Sequence, residues 1–265
     1  MSCILVLAEE KALAETALDY ATALAEVEGA DVLTINVANI RTSVEHEIAM
    51  HQPHLVVLAT RHRPSVSGLL VHDLADRILG SRLAPVLLVD SANHSRGLHR
   101  SQVLVPLDGS EIAEAALPTA LELARVLQGG IVLLQAVPPV VLPYAVPPEL
   151  ERNLQLDLAL AWDPRPELKA AQAYLDLVVK RLAQAADGTA ISTEVRLGGL
   201  ADQLAQLLHS APAVRLIVMT SQARSGLTRW LLGSSLAEVV HAVNIPVLAV
   251  PPLRHTRSHP SKEAA

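Results

Sequence analysis

The stretch from residue 216 to residue 251 sets the tightest limit on the fold. It begins with a four-residue apolar run, 216–219, which is too short for a helix and suits a buried strand. A polar loop follows, then a run with helical periodicity as far as Val243, and then a second short apolar strand at 247–250. Strand, loop, helix and strand in this order form half of a doubly wound sheet. Such sheets bind ligands beyond the carboxyl ends of their parallel strands.

The composition fits strands that are buried on both faces. Of 265 residues, 51% are hydrophobic but only 2% are aromatic, so Val, Ile, Leu and Ala must fill the core. No apolar run approaches the roughly 18 residues of a membrane span, and we expect neither a signal peptide nor a membrane partner. Cys3 is the only cysteine, which favours a cytoplasmic location. The net charge of -6, without a basic stripe, argues against a nucleic-acid partner.

One α/β unit occurs twice along the chain. Residues 4–37 and residues 103–137 both have the pattern of a strand, a helix and a second strand, and their helices are offset by 112 − 13 = 99 residues. Similarity at a fixed offset indicates an internal repeat. We therefore predict a truncated first domain in residues 1–90 and a complete second domain in residues 101–252.

The second copy is longer than the first. Pro85 precedes the last strand of the first copy as Pro246 precedes that of the second, an offset of 246 − 85 = 161. The excess of about 60 residues contains a Pro-rich loop, a helix and the alternating strand 191–197. Because alternation marks a half-exposed strand, we predict a sheet edge at 191–197 in a five-stranded second domain. The first domain should keep four strands.

Three motifs in the second copy resemble the universal stress protein family. They are Val105-Pro106-Leu107-Asp108-Gly109-Ser110, the segment 224–234 ending in Gly233-Ser234, and Ile245-Pro246-Val247-Leu248. The resemblance implies strand order 3-2-1-4-5 and dimers that pair through their fifth strands. We therefore expect an α/β fold of two tandem doubly wound, Rossmann-like parallel sheets, the first truncated. Their last strands, at 86–89 and 247–250, should pair antiparallel and leave no bare apolar edge between the copies.

Many members of the family bind ATP through the pattern Gly-x2-Gly-x9-Gly-Ser/Thr. Here the spacing is kept, but Thr220 and Ala223 replace the first two glycines. A glycine permits positive φ and a close approach of phosphate to the backbone, which β-branched Thr does not. The resemblance makes ATP or another adenine nucleotide the candidate cofactor of the second domain, with weak or absent binding. The candidate cofactor-binding residues are Asp108, Val137, Thr220, Ala223, Gly233, Ser234 and Ser235.

Some of these candidates also have a purely structural interpretation. The family residue at the position of Asp108 lies near the base and ribose, but an Asp here can equally cap the turn and helix that follow. Ser234 can contact phosphate or simply begin a helix, and Ser235 with Glu238 has the spacing of a capping box. In the first copy, Asp73 takes the place of Ser234 and would repel phosphate at a helix N-terminus.

The histidines of the first copy do not form a metal motif. His46 and His51 are five residues apart, one too many for His-Glu-x-x-His, and residues at this spacing do not share a helix face. We expect His46, His51, His54 and His62 to be solvated near helix ends and loops. The sequence predicts no metal site and no catalytic residue.

The sequence therefore favours a stress-response protein without catalytic activity, built as a single-chain pseudo-dimer. One alternative is an ATP-binding family member with slow ATP hydrolysis in its second domain. Another is a protein-interaction module that offers the Pro-rich loop 138–148 to a protein partner. The strand at 32–37 should become a bare sheet edge, which would promote aggregation. We therefore predict a homo-oligomer, most simply a dimer of chains that buries this edge or the adjacent helix face.

Overall fold

Strands and helices alternate along the chain in a computed structural model that describes residues 2–8, 11–37, 43–60, 66–90, 98–139, 163–221 and 234–251. The elements are β1 (Cys3–Ala8), α1 (Lys11–Glu28), β2 (Asp31–Asn36), α2 (Val44–His51), β3 (Leu55–Thr60), α3 (Val66–Ser81), β4 (Val86–Asp90), β5 (Gln102–Pro106), α4 (Glu111–Glu114), α5 (Leu117–Val126), β6 (Ile131–Val137), α6 (Arg165–Leu182), β7 (Ile191–Leu197), α7 (Leu200–Ser210), β8 (Val214–Thr220), α8 (Ser234–Ala242) and β9 (Val247–Val250).

The strands form one nine-stranded sheet in the order β2-β1-β3-β4-β9-β8-β5-β6-β7. The run β7-β6-β5-β8-β9 has the predicted order 3-2-1-4-5, and β2-β1-β3-β4 is the same order without its third strand. The halves meet where β4 pairs antiparallel with β9, with Leu87 opposite Leu248. The pairing predicted between the two last strands is therefore confirmed, as is the α/β fold class. The domain boundaries at residues 90 and 101 stay a prediction.

Helices cover both faces of the sheet. One face, called the α1 face below, carries α1, α5 and α6, whose buried residues include Leu24, Leu123 and Leu175. The opposite α2 face carries α2, α3, α7 and α8, with Ile48 and Ile78 in its core. Each core runs across both halves of the sheet. Strands enclosed in this way need apolar side chains at nearly every position, which accounts for the aliphatic composition.

The helix predicted after β5 is divided in two. The apolar periodicity predicts one helix across residues 112–123, but α4 ends at Glu114 and α5 begins at Leu117. Pro118 explains the break. It has no backbone N–H, and its ring would clash with the carbonyl of residue i−4, which is Glu114. At the start of α5 the missing N–H has no consequence, because the first amides of a helix have no intrahelical acceptor.

The strands β2 and β7 lie at the two ends of the sheet, so both predicted edge strands are confirmed. On β2, Val32, Leu33 and Ile35 are half-buried against the helices, whereas Thr34 is exposed. Among the described residues, no strand pairs with the outer side of β2. The oligomer that would cover this edge stays a prediction.

His54 joins three segments at the amino ends of β1 and β3. Its backbone N–H donates to the Cys3 carbonyl at 3.0 Å. Its ring lies 2.8 Å from the Ser2 Oγ through Nδ1 and 2.8 Å from the Glu28 carboxylate through Nε2. The hydrogen bond to Glu28 raises the pKa of the imidazole above its ordinary 6.5, although burial opposes the shift. His54 therefore has a structural role in tying β1, α1 and β3 together.

This contact predicts a pH-dependent stability. Because the folded-state pKa lies above the unfolded value of about 6.5, the stabilisation is complete below that pH and is lost as pH rises through the folded pKa. We expect Glu28→Gln to lower the free energy of unfolding at pH 5.5 and to have little effect at pH 9. Urea unfolding of both proteins across this range measures the difference. A deficit that is equal at both pH values would show that the charge of His54 plays no part.

Candidate functional site

The helices that follow the neighbouring strands β5 and β8 lie on opposite faces of the sheet. From β5 the chain continues to α5 on the α1 face, and from β8 it continues to α8 on the α2 face. The two strands are parallel neighbours, with Leu104 beside Ile217. Connections that leave two adjacent strands toward opposite faces open a crevice at the carboxyl ends of those strands. This edge of the sheet is therefore the candidate functional site.

Asp108 makes the contacts of a capping residue. Its Oδ1 accepts hydrogen bonds from the Ser110 backbone N–H at 2.9 Å and from the Ser110 Oγ at 2.6 Å. The Ser110 Oγ in turn accepts from the Ala113 N–H at 3.2 Å and so caps α4. Gly109 between them has φ +83°, which favours glycine. The prediction that Asp108 caps the turn is therefore confirmed, whereas the helix that follows is capped by Ser110 and not by Asp108. Its side chain is also exposed at the crevice, where a ligand can reach it.

Thr220 ends β8 with its side chain in the protein interior. The residue is only 6% exposed and lies beside Val250 of β9. The next residue, Ser221, is 2% exposed and donates its backbone N–H to the Val250 carbonyl at 3.0 Å. The chain thus leaves β8 as an extension of the sheet. The first backbone amide of the following loop is already used within the protein.

The structure brings several other predicted residues to this edge. Val137 ends β6, is 8% exposed, and accepts a hydrogen bond from the Gly198 N–H at 2.8 Å through its carbonyl. Ser234 is the first residue of α8, and Ser235 lies in the first turn of that helix. Ala223 and Gly233 lie outside the described residues, as do the side chains of both serines.

One prediction about the first half is wrong. Counting back from Pro85 placed Asp73 at a helix N-terminus, but α3 begins at Val66, so Asp73 lies in the interior of that helix. The count assumed helices of equal length, whereas α3 has 16 residues and α8 has 9. Repulsion between Asp73 and a phosphate at the start of α3 is therefore no argument against nucleotide binding in the first half.

A cluster of Glu114, Tyr174 and Arg181 lies beside the crevice and was not predicted. The Tyr174 hydroxyl donates to Glu114 Oε1 at 2.9 Å, and Arg181 Nη2 donates to the same oxygen at 2.8 Å. Burial, and then the hydrogen bond to the Glu114 carboxylate, raise the pKa of Tyr174 above its ordinary value. The cluster fastens α4 to α6 and so holds the segment that follows Asp108 in place.

Two histidines of the first half, His51 and His54, contact acidic residues, and His62 lies outside the described residues. The His51 Nε2 lies 3.7 Å from the Glu47 carboxylate one helical turn away, and His54 contacts Glu28 as described above. The part of the chain that the structure describes contains no group of three or more His, Cys, Asp or Glu side chains able to hold a metal ion. In the same residues, no helix has both the length and the apolar character needed to cross a membrane.

The fold is that of a doubly wound α/β protein, and its candidate ligand-binding site is the crevice at the carboxyl ends of β5 and β8. The family model of the universal stress protein family matches residues 99–251, which is more than half of the chain. The chain therefore belongs to the universal stress protein family. The matched segment contains the complete five-stranded half and all the predicted cofactor-binding residues.

Solved structures of universal stress proteins match the chain at low sequence identity. A universal stress protein from Archaeoglobus fulgidus is 14% identical with a TM-score of 0.59, and the match covers 94% of this chain and 96% of that one. A putative universal stress protein from Pseudomonas aeruginosa is 14% identical with a TM-score of 0.55, covering 95% and 83%. The universal stress protein UspA from Lactobacillus plantarum is 22% identical with a TM-score of 0.44, covering 57% and 98%.

Proposed function

We propose that this protein is a stress-response protein without catalytic activity, whose second half binds adenine nucleotide weakly or not at all. The observation that carries the proposal is the buried Thr220 at the carboxyl end of β8, where the ATP-binding pattern of the family has glycine. The first half, residues 1–90, is proposed to be a degenerate copy that takes the place of a partner subunit. We also propose a cytoplasmic location.

The geometry around Thr220 argues against a close phosphate contact. A phosphate-binding loop presents free backbone N–H groups, and glycines let the phosphate lie against them. Here the Ser221 N–H is bonded to the Val250 carbonyl, so it is not directed at a ligand. The residue Thr220 is only 6% exposed, and its branched side chain fills space that a glycine would leave open. Both features remove interactions on which triphosphate affinity depends.

Two features favour the alternative of an ATP-binding protein with slow hydrolysis. The helix α8 begins at Ser234, and a helix N-terminus of this kind favours anions. Asp108 is exposed at the same edge and keeps the position of the family residue that lies near base and ribose. The third hypothesis, an interaction module, depends on a Pro-rich loop of which residues 140–148 lie outside the described residues.

Calorimetry with ATP separates the first two functions. We expect the unaltered protein to show no binding in the low micromolar range, because both loop glycines are replaced. The double variant Thr220→Gly with Ala223→Gly should gain measurable affinity, since it restores the glycine pattern. Thr220→Val with Ala223→Val is the matched control, because it keeps a branched side chain at the end of β8 and should not bind.

Two results would contradict the proposal on nucleotide binding. Sub-micromolar affinity in the unaltered protein, or adenine nucleotide that stays bound through purification, would favour the ATP-binding function. A glycine double variant that folds but gains no affinity would show that Thr220 and Ala223 do not close the site.

We further propose that the chain forms a homo-oligomer. The antiparallel pairing of β4 with β9 occupies, within one chain, the place that the family uses to join two subunits through their fifth strands. Further association must therefore use another surface. The two remaining edges of the sheet, β2 and β7, are the candidates.

A further inference from the structure

The outer edge of β7 presents a regular set of main-chain groups. The Ile131 N–H donates to the Ala190 carbonyl, and the Gly198 N–H donates to the Val137 carbonyl, each at 2.8 Å. Because backbone direction alternates along a strand, the even-numbered residues of β7 direct their N–H and C=O groups toward β6. The odd-numbered residues, 191, 193, 195 and 197, direct theirs away from the sheet. Among the described residues, no strand pairs with them.

The side chains of β7 separate into an apolar face and a charged face. Ile191 and Val195 pack against the core of the α1 face. Glu194 and Arg196 alternate with them and therefore lie on the α2 face. The Glu194 side chain is 45% exposed, and the Arg196 side chain is 26% exposed. Arg196 Nε is buried, lies 3.5 Å from the Glu194 carboxylate, and has no hydrogen-bond partner in the described part of the chain.

We propose that a second copy of this chain pairs with β7 in antiparallel register, about a two-fold axis at Val195. The axis places Val195 beside the partner's Val195, and Thr193 beside the partner's Leu197. These pairs would exchange roughly six main-chain hydrogen bonds. Leu197, which is 43% exposed in the single chain, becomes covered by the partner's Thr193. This proposal places the self-association at β7 and not at the β2 edge that the sequence suggested. It does not depend on nucleotide binding.

Charge complementarity selects this register. With the axis at Val195, Glu194 lies opposite the partner's Arg196, and Arg196 lies opposite the partner's Glu194. Both are non-hydrogen-bonded pairs, in which facing side chains come closest. An axis one residue earlier would place Glu194 opposite the partner's Glu194, which is unfavourable. The buried Arg196 Nε would gain a second carboxylate within reach.

The other edge of the sheet lacks this complementarity. The strand β2, with the sequence Asp-Val-Leu-Thr-Ile-Asn, contains the acidic Asp31 but no basic residue. A charged residue on an edge strand usually discourages pairing with another strand. On β7 the charged residues have the spacing Glu-x-Arg. This spacing favours pairing with a second copy of the strand in one register. The favoured occupant of the β7 edge is therefore a second copy of the chain.

Sedimentation equilibrium of the full chain and charge-reversed variants tests the interface. We expect the unaltered protein to form a dimer of two 28.2 kDa chains. Glu194→Arg and Arg196→Glu should each weaken the dimer by about tenfold or more, because each places like charges opposite one another. An equal mixture of the two variants should recover the affinity, since the two arginines of one chain then face the two glutamates of the other. Glu26→Arg, on the exposed surface of α1, is the control and should dimerise normally.

Cross-linking gives a second test that does not depend on the charge variants. A hydrogen-bonded antiparallel pair has Cα atoms about 5.5 Å apart, within the range of a disulfide. Oxidised Val195→Cys should therefore become a covalent dimer, whereas Thr34→Cys on β2 should not. A monomeric unaltered protein would overturn both the self-association and this interface. A dimer that Glu194→Arg leaves intact, or that cross-links through Thr34→Cys, would overturn the β7 interface alone.

Discussion

Gly129→Ala is expected to destabilise the protein by about 3 kcal/mol or more, because the added methyl group has no space. Gly129 follows α5 and lies against Ser101, the residue before β5. A Cβ atom at this position would overlap the Ser101 carbonyl, which is backbone and cannot rotate away. The two segments are also joined by the hydrogen bond from the Arg100 N–H to the Leu127 carbonyl at 2.6 Å. Relief of the overlap must therefore move α5 or β5.

Gly29→Ala is the matched control for this variant. Gly29 follows α1 and Gly129 follows α5, but a Cβ atom at Gly29 would meet no other atom within 4 Å. Its φ of +67° makes alanine unfavourable by about 1–2 kcal/mol. Urea unfolding followed by circular dichroism measures both changes. Equal losses in the two variants would show that the chain relieves the overlap at Gly129 at little cost in stability.

Leu248→Ala should cost about 2–5 kcal/mol, the range for a large apolar side chain removed from a packed core. Leu248 is 3% exposed and lies opposite Leu87, which is 1% exposed, at the antiparallel contact of β9 with β4. The variant leaves a cavity where the two halves of the sheet meet. We expect both halves to lose stability together, because the core of the α1 face crosses this contact.

Leu177→Ala provides the comparison for the contact between the halves. Leu177 has the same side chain but is 58% exposed on α6, so its loss should change the free energy of unfolding by less than about 1 kcal/mol. Unfolding should be followed by circular dichroism, with the intrinsic fluorescence as a second probe. A Leu248→Ala protein that unfolds in two separated steps would show that the halves are independently stable.

The arrangement of strands could be predicted because a few local signals were unambiguous. Short aliphatic runs identify strands that are buried on both faces, and the alternation at 191–197 identifies the edge strand β7. The antiparallel contact of β4 with β9 followed from two short apolar strands at the ends of the two copies. Helix limits were predicted less well. Pro118 signals the break between α4 and α5, but the apolar periodicity on both sides of it suggests one helix.

The candidate site could be predicted only where its residues are local in sequence. Asp108 and Ser110 are two residues apart, so their turn is readable from the chain itself. Glu114 meets Tyr174 and Arg181, which are 60 and 67 residues away, and no periodicity connects them. The amide of Ser221 is equally hidden from the sequence, because its acceptor, the Val250 carbonyl, depends on the pairing of β8 with β9.

The pairing of β4 with β9 inside one chain changes how the protein responds to dilution. Two subunits in separate chains come apart once their concentration falls below the dissociation constant. Here the partners are tethered, and the effective concentration of one strand near the other is on the order of millimolar at any protein level. A cell that holds only a few copies of the chain therefore keeps the two halves of this sheet assembled.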